Sequence, residues 1–412
     1  MRPTGRLFQW RRLTTTWKEA KSMLRMLLLL AITLLALVWS LQAESQSPLF
    51  IPAPGSPFVV GEGSGRLLLV DVNGDGRLDL LSCHLLQKSV GVHLMDGAGR
   101  FVAAPGSPIA MKTQPGDIKV ADLNGDKIPD LIVTHSERDC VDIFLGNGDG
   151  GFRLAPGSPL TVSADSEFYT RSLHLIDLNE DGKLDIVTAN HRRNAFSTML
   201  GNGRGEFSPG PTTTIPSDEQ KFSFISGDMF GDLDGDKHLD LVIVSAQNDS
   251  GARQSRARML RGDGKGDFKE NPSASFPMLA GPRFLRLADV NGDQRLDMVL
   301  SHSTDQLSVL LNGGNFKFTA ATGSPYDLDA TPFAVMVADV NNDQRSDLVA
   351  ATVDSITILL GGKDKFTPAP GSPFRAGPGA YYLTLGDVNK DGKLDIAGAS
   401  FEGNAVTLLL AR

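Results

Sequence analysis

Seven short segments set side-chain oxygens at positions 1, 3, 5 and 9 in the form D-x-[DN]-x-D-x-x-x-D. They are DVNGDGRLD from Asp71, DLNGDKIPD from Asp122, DLNEDGKLD from Asp177, DLDGDKHLD from Asp232, DVNGDQRLD from Asp289, DVNNDQRSD from Asp339 and DVNKDGKLD from Asp387. The candidate ligands are Asp71, Asn73, Asp75 and Asp79 in the first loop, and Asp122, Asn124, Asp126 and Asp130 in the second. Asp177, Asn179, Asp181 and Asp185 follow, then Asp232, Asp234, Asp236 and Asp240, the most acidic set. The last three sets are Asp289, Asn291, Asp293, Asp297; Asp339, Asn341, Asp343, Asp347; and Asp387, Asn389, Asp391, Asp395. Ca²⁺ is a hard cation that takes six to eight oxygens at about 2.3–2.6 Å. Carboxylates or amides at positions 1, 3 and 5 of a tight loop point inward together, a carbonyl at position 7 adds an oxygen, and Asp at position 9 can bind through both of its own. Mg²⁺ suits the pattern less well, because it demands strict octahedral geometry and keeps its waters. The spacing therefore predicts up to seven structural Ca²⁺ sites.

A single such loop could equally be a hairpin that caps itself with side-chain hydrogen bonds. Across seven complete loops, three or four carboxylates each would repel without a cation. The charge agrees with metal: removing the net +6 of residues 1–43 from the chain's −8 leaves about −14, which seven dications would balance. Glycine at position 6 lets a loop curl with positive φ. Lys127, Lys237, Gln294 and Gln344 replace it in loops two, four, five and six, and Pro129 precedes the last ligand of loop two, so these four are expected to be weaker or less regular.

The elements that must hold the loops repeat with them. Successive loops start 51, 55, 55, 57, 50 and 48 residues apart. An apolar segment precedes each loop, a second apolar run follows, then an alternating run, a Gly-rich turn and a short segment containing A-P-G-S-P or a relative of it. Read by period and glycine punctuation, each unit is four short strands. Seven such units of about 50 residues predict an all-β, seven-bladed propeller of four-stranded blades. The last unit stops at its third strand, Thr407–Leu410, while Phe50–Phe58 (FIPAPGSPF) matches Phe366–Phe374 (FTPAPGSPF). The N-terminal strand is thus expected to complete the last blade and close the ring.

With these seven loops inside strand–loop–strand units, residues 49–412 resemble the FG-GAP/VCBS repeat proteins, whose best-known relatives are the propellers of integrin α subunits. The resemblance implies a structural Ca²⁺ held between the first and second strands of each blade, by the four side chains named for each loop. It also implies ligand binding on the opposite face or between blades. A metal loop in every blade, without additional domains, departs from integrins and puts integrin-like partner binding in doubt.

On that opposite face, His84, His135 and His302 stand five residues after the last loop Asp, and His191 six. Arg66, Asp117, Arg171, Arg283, Phe333, Tyr381 and Tyr382 begin the first strands near the central opening. Mixed Arg, His and aromatic groups suit a sugar or an anionic ligand, although polar residues are also expected at solvated turns. Residues 1–43 carry seven basic residues, all before the apolar run Met26–Val38, which reads as a signal peptide or an N-terminal membrane anchor, with 44–48 a short linker. An extracytoplasmic location follows: secreted, periplasmic or cell-surface, with membrane contact only if the segment stays uncleaved. Export permits a Cys83–Cys140 disulfide, and two buried thiols is the plainer reading. Net charge −8 argues against nucleic acid. The chain carries neither G-x-S-x-G nor H-E-x-x-H. The expectation is a monomeric binding or adhesion module for glycans or surface proteins, with a calcium-dependent polysaccharide lyase and a purely structural scaffold as alternatives.

Overall fold

The computed structural model describes residues 47–97, 99–162, 170–190, 195–214, 226–246 and 255–412. The basic and apolar leader lies outside them. Leu49–Arg412 forms one compact unit. It is all-β: seven mainly antiparallel sheets form a ring, a seven-bladed propeller. In blade one the strands run outward from the axis as Ser64–Val70, Asp79–His84, Ser89–Met95 and Phe101–Ala103. The innermost strands of blades two to seven are Pro115–Ala121, Thr170–Ile176, Phe230–Gly231, Pro282–Ala288, Val335–Ala338 and Tyr382–Gly386.

The core lies between blades, because each sheet is covered on both faces by its neighbours. Second strands are accordingly continuous apolar runs, and Asp79–His84, Asp130–His135, Asp297–His302 and Asp395–Ser400 are buried at every residue. One cluster joins Leu81, Val90 and Val92 of blade one to Ile118, Leu131 and Val133 of blade two. Another joins Leu67 and Leu80 of blade one to Ala397, Val406 and Leu408 of blade seven. Cys83 and Cys140 are free, buried thiols, not a disulfide.

The ring closes as the repeat pattern predicts. Phe50–Pro52 pairs antiparallel with the C-terminal strand, placing Phe50 opposite Ala411 and Pro52 opposite Leu409. Phe58 and Val59 pair with Val406 and Ala405 of the same strand. The outermost element of most blades is therefore two pieces separated by the A-P-G-S-P segment, rather than one strand. The serine of that segment fills the gap: Ser56, Ser107, Ser158, Ser324 and Ser372 each accept a third-strand N–H on Oγ, at 2.8–2.9 Å. A polar N–H left bare by the interruption is thus satisfied, and the Ser–Pro bond is cis at all five.

Blade four departs from the pattern. Its innermost segment splits, and Ser226–Gly227 pairs in parallel with Phe284 and Leu285 of blade five. Gly227 has φ +123°, and a Cβ there would meet the Leu285 carbonyl oxygen at 1.9 Å, so only glycine permits the approach.

Candidate metal loops and the opposite face

Each Asp-rich loop joins the first and second strands of a blade, and all seven share one hydrogen-bond pattern. The first Asp accepts the position-6 N–H on Oδ2 at 2.7–2.9 Å in every loop. The position-3 side chain accepts the position-5 N–H at 2.8–3.1 Å. The position-5 Asp accepts the position-7 N–H at 2.8–3.0 Å. These bonds wind the loop around its own oxygens.

The loops without a glycine at position 6 are no less regular. Lys127, Lys237, Gln294 and Gln344 take φ of +68°, +74°, +67° and +67°, close to the +77° of Gly76. Glu180, Asn342 and Lys390 do the same at position 4. A non-glycine residue in this region costs about 1–2 kcal/mol. The bond from the first Asp to the position-6 N–H offsets part of that cost.

The ninth Asp differs in kind from the others. Asp79, Asp130, Asp185, Asp240, Asp297, Asp347 and Asp395 are fully buried. One oxygen accepts the loop's position-2 N–H, as from Val72 to Asp79 at 3.0 Å, and the other accepts an N–H near the end of the third strand, as from Met95 at 2.9 Å. The same pair recurs in the other six blades. This residue therefore ties first, second and third strands together, while each oxygen keeps a second lone pair for a cation. Burial raises the carboxyl of all seven above the ordinary range, and that of Asp240 to about 6.

The donor set fits a hard dication. In blade four, Asp232, Asp234 and Asp240 each bring a carboxylate oxygen within 4.8 Å of the others. Oxygens bound at about 2.3–2.6 Å to a common Ca²⁺ lie at most about 5 Å apart. Neutralisation by the protein is partial: Arg77 pairs with Asp75 at 2.5 Å, Lys183 with Asp181 at 3.0 Å, and Arg261 with Asp234.

The opposite face separates the remaining candidates. His84, His135 and His302 are not open rim groups. All three are buried at the ends of second strands, which neighbouring blades cover on both sides. His84 bonds Ser82 at 2.8 Å and Ser89 at 3.1 Å. His135 bonds Thr113 at 2.6 Å and Asp142 at 2.9 Å, and His302 bonds Ser308 at 2.9 Å. They link strands within the blade. His191 lies outside the described residues, as does the side chain of Arg171, whose backbone sits at a register shift between Thr170 and Ser172.

The arginines and aromatics do converge, from different blades. The Arg283 guanidinium lies 4.7 Å from the centre of the Phe333 ring, Phe333 lies 4.4 Å from Tyr381, and Tyr381 lies 6.2 Å from Phe401. This ladder spans blades five, six and seven at the mouth of the central channel, with Arg283 exposed. One residue deeper, the Arg66 guanidinium lies 4.6 Å from the Tyr382 ring centre and 6.0 Å from that of Phe284. Its Nε is 3.5 Å from Asp117. A single side chain of blade one thus reaches blades two, five and seven. Beside it Arg286 of blade five pairs with Asp228 of blade four at 2.8 Å.

The sequence pattern of the FG-GAP-like repeat matches residues 71–133, 122–188, 177–243, 232–300, 289–350 and 339–398, each match starting on the first Asp of a loop. The chain belongs to the FG-GAP-like repeat family. Among relatives, the human T-cell immunomodulatory protein is 26% identical over 198 residues, which is 46% of this chain and 31% of that protein. The match thus spans about a third of the relative's length. Among solved structures, BBS1N in complex with ARL6DN has a TM-score of 0.57 at 10% identity, covering 89% of this chain and 98% of that one. An Agrocybe aegerita lectin that recognises non-reducing terminal N-acetylglucosamine has a TM-score of 0.51 at 17% identity, covering 89% of this chain and 94% of its own. At these identities the two structures share the fold alone. Within this FG-GAP-like ring, the ladder partner Phe401 escaped sequence reasoning, because it stands in the turn after the second strand of blade seven rather than at the start of a first strand.

Proposed function

We propose that this FG-GAP-like propeller is an exported, calcium-stabilised binding or adhesion module that takes a glycan or a surface protein on the face opposite its Asp-rich loops. The observation that carries the reading is the ladder of Arg283, Phe333, Tyr381 and Phe401 at the channel mouth. Aromatic faces accept the apolar side of a sugar ring, and a guanidinium stacked on them adds a donor fork for hydroxyls or anions. The Agrocybe aegerita lectin of similar fold recognises non-reducing terminal N-acetylglucosamine, which agrees with a glycan ligand for this fold. The basic and apolar leader supports export. The four oxygen side chains of each loop would hold Ca²⁺, which supplies the positive charge that the buried ninth Asp and its neighbours call for. The ring with its metals is then a rigid frame, and the mouth is the recognition surface.

The test is a glycan and surface-ligand screen in calcium with the wild type and an Arg283→Ala/Tyr381→Ala double variant. At least a tenfold loss of affinity for the best hit is expected. Equal binding by both proteins would remove the ladder from the recognition site.

A further inference from the structure

We propose that the channel beneath the ladder contains a receptor for a carboxylate, centred on Arg66, and that the preferred ligand is a carboxylated sugar such as a uronic acid. The proposal rests on the ladder reading above and makes it more specific. Arg66 stands on the innermost strand of blade one with its side chain 16% exposed. Its nearest anion is Asp117, but at 3.5 Å the two make no hydrogen bond. Asp117 is itself committed: one oxygen accepts the Ile118 N–H at 2.9 Å, and the other accepts the Leu173 N–H of blade three at 3.2 Å. The carboxylate that balances Arg66 is therefore held by the backbone of two blades and stands at ion-pair rather than hydrogen-bond distance from Nε.

Among the described residues, Arg66 Nε is a buried donor without a hydrogen-bond partner. Three further polar atoms of innermost strands share this state: Ser64 Oγ, two residues earlier and 1% exposed, and Ser172 Oγ and His174 Nε2 of blade three. Buried polar groups are nearly always paired, and a buried donor left without an acceptor costs free energy. The fork that Arg66 presents matches a planar carboxylate, which takes two parallel N–H bonds. The rings of Tyr382 and Phe284 hold the guanidinium in place. A singly charged anion suits the site better than a dianion, because Asp117 remains alongside. The residue next to Tyr382 is Tyr381 and the one next to Phe284 is Arg283, both in the ladder. A sugar ring stacked at the mouth would thus have its charged substituent directed one residue deeper, to Arg66.

Calorimetric titration of the full chain in calcium tests this, with oligogalacturonate and its methyl-esterified, neutral counterpart as probes. The wild type should bind the acid form at least tenfold more tightly than the ester. Arg66→Met should abolish that preference, so that acid and ester bind with equal affinity. Arg66→Lys, which keeps the charge but not the fork, should lose most of the preference and guards against a folding failure in the methionine variant. Equal affinities for acid and ester in the wild type, or a preference that survives in both variants, would overturn the carboxylate receptor and leave the ladder reading intact. Binding of neither probe, with a neutral glycan bound in a ladder-dependent way, would also overturn it. Failure of the ladder variant to affect any ligand would instead refute the underlying reading.

Discussion

Replacing Phe50 by alanine should destabilise the whole ring. Phe50 is 1% exposed. Its ring meets Phe374 edge-on at 5.7 Å and belongs to the cluster formed with Val349, Ile356 and Ile358 of blade six. Its backbone pairs with Ala411 of blade seven. Eight residues on, Phe58 packs edge-on against Phe101 of blade one at 5.4 Å. The closing segment thus fastens three consecutive blades. Truncating a buried Phe to Ala costs about 3–5 kcal/mol in lost transfer energy and cavity, and the edge-to-face pair lies within that sum. Phe58 is only partly buried, so Phe58→Ala should cost about half as much. Urea unfolding in saturating calcium, followed by fluorescence and by far-ultraviolet dichroism, measures both losses and shows whether blades six, seven and one separate first. Loss of the strap exposes the edge of Ala405–Ala411, so aggregation of Phe50→Ala should rise with temperature. A Phe50→Ala loss below about 1 kcal/mol would refute the idea that this strand locks the ring.

Two further outcomes are expected. Chelation with EDTA should lower the melting temperature, and Ca²⁺ should restore it better than Mg²⁺; each site saturated at a hundredfold excess over its Kd adds about 2.7 kcal/mol, so an unchanged melting curve would rule out structural calcium. Burial holds the His84 imidazole down at about 4 in the fold, so the native state binds fewer protons than the unfolded chain between about pH 6.5 and 4. Its contribution is full above that window and is lost as the pH falls through it, by up to about 3 kcal/mol. The stability gap between wild type and His84→Gln should therefore narrow by roughly 2–3 kcal/mol from pH 7 to 4, and a gap independent of pH would contradict the assignment.

The blade count, the strand order within a blade and the closing strand were all legible in the chain, because each is a local pattern repeated at a fixed interval. Phe50–Phe58 could be matched to Phe366–Phe374 by sequence alone, and the two occupy equivalent places in blades seven and six. The role of Ser107 and its counterparts was not legible. The motif is visible, but the N–H that it satisfies belongs to a strand some fifteen residues away and is bare only because the outer strand is interrupted. The backbone regularity of the four loops lacking glycine was not legible for a similar reason. The cost at Lys127 is local, whereas the bond from Asp122 that offsets it appears only once the loop has closed.

The histidines and the arginines mark the limit most clearly. By itself the sequence determined that His84, His135 and His302 end second strands and that Arg66, Arg283 and Tyr381 begin near first strands, since position in a strand follows from counting. Only the tertiary structure decided which of them face a neighbour and which face the channel. A second strand is enclosed by two adjacent blades, so its terminal histidine is buried whatever its polarity. A first strand borders the axis, where a side chain as long as Arg66 reaches residues more than two hundred positions away, such as Phe284. Periodicity places a residue along its own strand, and the closure of seven blades around one axis sets what stands opposite it.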